Sequence, residues 1–460
     1  MIRLFRHWFR WRPLAQVLLD GSFFIVGVFI AVMWTRHGLQ INYQQVVLFG
    51  LIVVASAMFL SSLFYLHQRI HKREVIGVRT ATVLSLYLSF PIAYAIYVFL
   101  PLAPASRELV QLSAMSAIFG ILVSRIGATD SITSGLTKRR ILVFGTGIKA
   151  NEVKRTLTKS DPSAEIVSFI AGPNENDSIL PGSVIHSRGM TLTETATALK
   201  AQEIVVALSE RRGGSMPLRE LLDCKVNGIQ VFDLASYFEK TLGQIRLDSL
   251  YAGWLIFGDG FSQGYLRTRV KRISDIFFSM ILLIVALPVM LVTALLIALE
   301  DGFPVFYRQE RVGLNGRTFD VIKFRSMRLD AEKDGMPVWA RSADDRVTRV
   351  GRVIRKMRID ELPQLFCVLN GDMSLVGPRP ERPFFVDQLT REIPFYALRH
   401  SVKPGLTGWA QVCFHYGSTV EDAAEKLQYD LYYVKNHSLF LDLVVLFETV
   451  GVVITGKGAH

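Results

Sequence analysis

Two adjacent carboxylates, Asp360 and Glu361, follow directly on a stretch that carries Arg349, Arg352, Arg355, Lys356 and Arg358. Carboxylates this close to five cations are expected to have depressed pKa values, to stay ionised and to be able to bind a divalent metal. An ionised Asp can also attack phosphorus and carry an acyl-phosphate. The cations would meanwhile hold a diphosphate and neutralise the charge developing on it. An Asp-Glu pair on its own is an ordinary solvated helix face; the neighbours give this one weight. Upstream stand Lys323 and Arg325, and downstream Gly377-Pro378-Arg379-Pro380, whose prolines fix the backbone around a guanidinium. Further on, Lys403-Pro404-Gly405-Leu406-Thr407-Gly408-Trp409 offers a cation and small residues that permit close approach of a ligand.

These residues need elements to hold them. Alternating apolar and basic residues around Asn315-Gly316 predict a β-hairpin over 305–325 with cationic side chains on one face. The stretch 347–358 is compatible with a helix leading into the acidic pair. Before this block, the strand-like runs 141–145, 165–170, 203–208 and 229–234 alternate with helical stretches, which predicts a doubly wound parallel sheet. The Gly145-Thr146-Gly147 turn after its first strand is a candidate nucleotide site, although no ribose-binding acid ends the second strand. His400 and His415 lie near the motifs without metal-ligand spacing, and a bland role is expected of both.

Composition places the whole chain at a membrane. Of 460 residues, 50% are hydrophobic and the mean hydropathy is +0.31. The formal charge is +12, but residues 1–140 hold 14 Lys and Arg against four acids, so the basic excess flanks apolar segments and implies no nucleic acid. Four apolar stretches (14–34, 46–66, 82–102 and 109–123) predict spanning helices, with Arg and Lys placing both ends of the bundle in the cytoplasm. A fifth run, 276–299, follows Lys271, Arg272 and Asp275 and is broken at its centre by Leu287-Pro288. A full crossing would carry the dense Arg and Lys set outside, so a re-entrant hairpin over 274–300 is expected. Three cysteines without a CxxC pair fit a reducing compartment.

Lys271-Arg272-Ile273-Ser274-Asp275, the proline-broken run, Lys323-Phe324-Arg325-Ser326-Met327, Asp360-Glu361-Leu362-Pro363-Gln364, Gly377-Pro378-Arg379-Pro380 and the Lys403–Gln411 block occur in the order seen in bacterial sugar transferases. The chain resembles the polyprenyl-phosphate hexose-1-phosphate transferases, or monotopic phosphoglycosyl transferases, closely over about 268–460. Its first half looks like that of the long members, and Cys413–Gly417 looks like the exosortase-associated, exopolysaccharide-initiating type. The resemblance implies a mixed membrane protein: a four-helix transmembrane bundle over 1–130, a Rossmann-like α/β domain over 131–262, and an α+β catalytic domain over 263–460. It implies Asp360 as nucleophile on a UDP-sugar, with UMP as leaving group, and Mg²⁺ or Mn²⁺ held by Asp360 and Glu361. Arg355, Arg379, Lys323, Arg325, Arg358 and Lys403 would bind phosphate or nucleotide, and Lys271, Arg272 and Asp275 would anchor the hairpin at the headgroups. Undecaprenyl phosphate would be the acceptor, glucose or galactose the sugar, and the bacterial inner membrane the location, with the catalytic domain in the cytoplasm and a homodimer as the assembly. The competing expectation is a nucleotide-sensing membrane regulator with a degenerate transferase domain.

Overall fold

The computed structural model describes residues 138–160, 164–172, 184–185, 189–208, 216–250, 252–258, 260–261, 264–328, 346–414 and 419–455, with positions 2–4, 7–9, 22, 26 and 119 before them. The four expected spans of the bundle lie outside the described residues, apart from helical positions 22, 26 and 119. The rest forms two units that divide between Leu242 and Gly243.

The first unit is the expected parallel sheet. Strands β1 (Arg139–Phe144), β2 (Ala164–Ile170), β3 (Val184–Ile185), β4 (Glu203–Val206) and β5 (Gln230–Asp233) run in the spatial order β3-β2-β1-β4-β5, all parallel. Strands β1 and β4 read as unbroken apolar runs because both faces are covered. Ile141 and Val143 pack towards Val153, Leu157 and Phe238, whereas Leu142 and Phe144 pack towards Leu192, Ala196 and Leu221. Helices α1 (Ile148–Ser160), α2 (Leu192–Ala198), α3 (Leu218–Val226) and α4 (Leu234–Leu242) supply these layers. A buried Glu203 ties the sheet to its helices, accepting from Arg139 at 2.7 Å and from Lys240 at 3.0 Å.

The Gly145–Gly147 turn sits at the end of β1, where the strand order reverses and doubly wound folds bind ligands. Gly145 has φ +131°, open to glycine alone, and its N–H donates to the Ile170 carbonyl at 2.8 Å. That donor is therefore committed to the end of β2 and not to a phosphate.

The second unit opens earlier than residue 263. Gly243 accepts from the Trp409 indole at 2.7 Å and the Ile245 N–H donates to Gln428 at 2.9 Å, so the connector packs with the C-terminal block. After α5 (Ala252–Phe257) comes α6, Tyr265–Asp301, 37 residues with Pro288 inside, the one helix among the described residues long and apolar enough to cross a membrane. Its polarity is inverted: Asp275, Ser279 and Thr293 are buried against the protein while Phe277, Ile284, Val285, Leu291, Val292 and Leu295 are exposed. Water would expel such a face, and a lipid phase would accept it.

Both ends of α6 are tied to this unit. Arg272 donates to the carbonyls of Val368 and Leu369 at 2.5 and 2.7 Å, and Lys271 pairs with Asp442 at 2.7 Å. Asp275 accepts from the Ser374 hydroxyl at 2.8 Å and the Leu375 N–H at 3.2 Å. At the other end Arg325 donates to the carbonyls of Asp301 and Gly302, and Glu300 accepts from the N–H groups of Arg349 and Val350. Between these ends Met290 and Ile297 pack with Phe324 and Ile354.

The hairpin is present as β6 (Phe306–Val312) and β7 (Thr318–Phe324), with Asn315 at φ 55° and Gly316 at φ 77° in the turn. Its cations are divided between faces. Pairing of Tyr307 with Lys323 and of Arg311 with Phe319 puts Lys323 and Arg311 on one side, and strand alternation puts Arg308 on the other. Helices α7 (Arg349–Lys356), α8 (Gln364–Asn370), α9 (Pro383–Glu392), α10 (Trp409–Cys413), α11 (Val420–Asn436) and α12 (Leu439–Thr455) surround a parallel pair, β8 (Ser374–Val376) and β9 (Gly405–Thr407). Gly405 and Gly408 serve this pair and do not admit a ligand. A Cβ on Gly405 would stand 2.0 Å from the Gly377 nitrogen, and one on Gly408 2.2 Å from its oxygen. In α12, Asp442 and Glu448 are buried, and in α11 Tyr432 and Tyr433 are fully buried, so these residues pack the core.

Candidate active site

Helix α7 is started by Thr348, whose hydroxyl accepts from the Gly351 N–H at 2.8 Å, and is stopped at Arg358, a left-handed residue at φ 58° and ψ 19°. A non-glycine residue in that region costs on the order of 1–3 kcal/mol. The reversal turns the chain at once into the 3₁₀ turn Ile359–Glu361, which faces the acidic pair towards β7 and the Pro-Arg-Pro turn.

The two acids differ in environment. Glu361 is buried and is shared by three cations: Arg379 at 2.7 Å and Lys323 at 3.2 Å on Oε1, and Arg358 at 3.8 Å on Oε2. Burial pushes its carboxyl up, but Arg379, Lys323 and Arg358 outweigh burial and hold it well below the usual carboxylate range. Asp360 goes the other way, against the expectation for the pair. Its Oδ1 is shut off from solvent and accepts no hydrogen bond. Burial, reinforced by the charge of Glu361, pushes its carboxyl up, with Lys323, Arg379 and Arg355 opposing. Lys323 is itself pushed down by desolvation while Glu361 pulls it back. The result is a carboxylate oxygen short of positive partners, set among cations already engaged by its neighbour.

That shortfall fits a divalent ion. Asp360 Oδ1 is a bare oxygen donor, and no group of three metal-ligating side chains exists among the described residues. Mg²⁺ characteristically takes one or two carboxylates and completes its shell with phosphate and water.

Asp360, Glu361, Lys323, Arg355, Arg358 and Arg379 thus come together. Arg325 is engaged elsewhere, 6% exposed with its guanidinium on the last carbonyls of α6. Lys403 donates to the Gly371 carbonyl at 2.6 Å and lies beside Arg272, at the end of α8 and the base of α6. Lys271, Arg272 and Asp275 have partners inside the protein, as described above. His400 is pushed down to about 4 by burial, with Arg399 adding to this, so it is neutral near pH 7. It lines a cavity of about 500 Å³ with Val312, Thr318, Asp387 and Ser401.

Sequence reasoning missed a set behind the Pro-Arg-Pro turn: the buried Arg399 and Asp430 with the half-buried Glu381 and Lys426. The only sequence signal was the presence of two charges, Lys426 and Asp430, one helical turn apart in α11.

An acidic pair in a cage of cations stands in the same unit as a helix whose apolar face points outward. Residues 266–456 match the family model for bacterial sugar transferases. The chain belongs to that family, whose members are membrane-associated transferases. It is 30% identical over 345 residues to the UDP-glucose:undecaprenyl-phosphate glucose-1-phosphate transferase of Escherichia coli, covering 73% of this chain and 72% of that one. It is 45% identical over 242 residues to the UDP-N-acetylgalactosamine-undecaprenyl-phosphate N-acetylgalactosaminephosphotransferase of Aeromonas hydrophila. That match covers 53% of this chain and little more than half of the relative, 56%. A UDP-glucose:undecaprenyl-phosphate glucose-1-phosphate transferase of Caulobacter vibrioides is 43% identical over 193 residues, 41% of this chain and 72% of its own.

Proposed function

We propose that this chain transfers a sugar 1-phosphate from a UDP-sugar to undecaprenyl phosphate, releasing UMP. The observation that carries the reading is Asp360, a carboxylate with one bare oxygen, held within the cage of Lys323, Arg355, Arg358 and Arg379 around Glu361. In the first step an Asp360 oxygen attacks the sugar-bearing phosphorus, the bond to the UMP oxygen breaks, and UMP leaves with the electron pair. In the second, a phosphate oxygen of the polyprenyl acceptor attacks the acyl-phosphate and regenerates the Asp360 carboxylate. Glu361 orients Arg379 and Lys323 towards the diphosphate, and Arg355 and Arg358 add positive charge where the leaving phosphate develops negative charge. Asp360, assisted by Glu361, would hold Mg²⁺ or Mn²⁺, which when bound neutralises the donor diphosphate.

The test is UMP release from membranes carrying the full chain, supplied with undecaprenyl phosphate and a panel of UDP-glucose, UDP-galactose, UDP-N-acetylglucosamine and UDP-N-acetylgalactosamine. One donor is expected to be turned over, and EDTA is expected to stop it. Silence across the whole panel with Mg²⁺ present would refute the reading. The relatives differ in their sugar, glucose or N-acetylgalactosamine, which is why the panel includes both.

The topology belongs to the same proposal: the bundle over 1–130 in the inner membrane, the Rossmann-like domain ending at Leu242 and the catalytic domain opening at Gly243 in the cytoplasm, and 274–300 re-entrant with Leu287-Pro288 at its break. It is supported by the ties of both α6 ends to the unit that holds Asp360. Straight, 37 residues would extend about 55 Å at 1.5 Å per residue. A spanning helix of that kind would part its two ends across the hydrocarbon core. Phe303→Cys, in a chain with Cys413→Ser, is expected to react with an impermeant maleimide only after the cytoplasmic face is opened. Labelling of intact spheroplasts would overturn the re-entrant path.

A further inference from the structure

Arg379 can serve the site only while its guanidinium stays on Glu361, and the prolines beside it do not secure that. Pro378 and Pro380 restrict backbone angles within the turn, but they do not fix the turn against the rest of the unit. Four hydrogen bonds do. The Gly405 N–H donates to the Pro378 carbonyl at 2.9 Å, the Arg399 Nη2 to the Arg379 carbonyl at 2.9 Å, the Arg311 Nη1 to the Pro380 carbonyl at 3.1 Å, and the Val312 N–H to the Glu381 carbonyl at 2.9 Å.

Arg399 is the most deeply set of these. It is 3% exposed and its partner Asp430 2%. The Asp430 Oδ2 accepts from the Arg399 Nε at 3.1 Å and from Nη2 at 2.8 Å. Arg399 Nη1 donates to the Tyr396 hydroxyl at 2.9 Å. One helical turn before Asp430, Lys426 donates to Glu381 at 2.8 Å, and Glu381 also faces Arg311 at 3.6 Å. Helix α11 therefore reaches the Pro-Arg-Pro turn twice, through Asp430 and Arg399 at the Arg379 carbonyl and through Lys426 at Glu381. A buried ion pair is a poor way to gain stability, since apolar residues of the same volume do as well or better. What an apolar pair cannot supply is a donor to the Arg379 carbonyl.

We infer that Arg399, held by Asp430, is a positioning residue for Arg379: it sets the turn so that the Arg379 guanidinium meets Glu361 and the donor phosphate. It touches neither substrate nor Asp360, and it acts through one backbone oxygen. The inference rests on the transferase reading above.

The variant to make is Arg399→Lys in the full chain. Lysine keeps a charge facing Asp430 but cannot reach Asp430, Tyr396 and the Arg379 carbonyl together. With the preferred UDP-sugar, kcat is expected to fall on the order of 100-fold, the scale of a small misplacement in a reacting site. KM for the donor should stay within about threefold, because the cations that bind it remain. In an Arg379→Ala background the same change should cost less than about threefold, since the residue it positions is gone. An unaltered kcat would overturn the inference, as would a 100-fold fall repeated in the Arg379→Ala background. If Arg399→Lys fails to fold, Arg399→Met with Asp430→Leu removes both charges and is expected to keep the melting temperature while losing turnover; retained turnover again overturns it. Hydrogen exchange over 374–385 reads the same claim without activity. It should rise in Arg399→Lys, and unchanged exchange there counts against positioning even if no donor is ever turned over. Absence of UMP release by the wild type falls on the transferase reading alone.

Discussion

Asp360→Asn is expected to abolish UMP release, with turnover falling on the order of 10⁴-fold or more, the scale seen when a nucleophile is removed. The exchange keeps shape and size, so little else should change. Oδ1 has no hydrogen bond to lose, and the substitution removes a charge that burial and Glu361 both disfavour. The melting temperature in detergent should therefore hold or rise, in contrast to most changes at buried positions. The combination is diagnostic: a folded, stable chain with no chemistry. Covalent capture of a radiolabelled sugar phosphate, present in the wild type before acceptor is added, should vanish with it. Turnover retained by Asp360→Asn would sink the covalent step.

The second large effect comes from its neighbour and has the opposite stability signature. Glu361→Gln leaves Arg379, Lys323 and Arg358 facing one another without the carboxylate that separates them. Removing one member of a buried ionic cluster costs about 3–5 kcal/mol, so thermal unfolding should shift well below that of the wild type. Activity should fall at least about 100-fold, because the cations that meet the diphosphate lose their common anchor. Adding Lys323→Met to Glu361→Gln is expected to restore much of the stability, by removing one uncompensated charge, while leaving turnover low. A Gln variant as stable and as active as the wild type would show that the carboxylate is dispensable as an organiser.

Much of this arrangement was legible from spacing. The parallel sheet followed from apolar runs that both faces of β1 and β4 require, and the hairpin from Asn315-Gly316. The convergence of Lys323, Arg355, Arg358 and Arg379 on the acidic pair was implied by the resemblance to the sugar transferases and not by spacing. Partner choice was not legible. Arg325 resembles a phosphate ligand in sequence, yet the unsatisfied carbonyls at the end of α6 claim it. Arg272 is likewise claimed by the end of α8, and Asp275 by Ser374 and Leu375. Nor could spacing distinguish two adjacent acids. Only the fold decides that Glu361 collects three cations while an oxygen of Asp360 is left bare. The Arg399–Asp430 pair joins residues 31 positions apart, a separation without periodicity to betray it.

The attachment of α6 at both ends governs how the enzyme meets its lipid. A catalytic unit hung from a membrane by one end of a helix can swing, and its reach is set by the slack of the tether. Here α6 and the unit that bears Asp360 are latched at Arg272 and Asp275 on one side and at Glu300 and Arg325 on the other. On the proposed re-entrant path, the depth of α6 in the leaflet would therefore set the height of Asp360 above it. The lipid phosphate would then have to rise to a stationary site, and changes in bilayer thickness would alter turnover through that height.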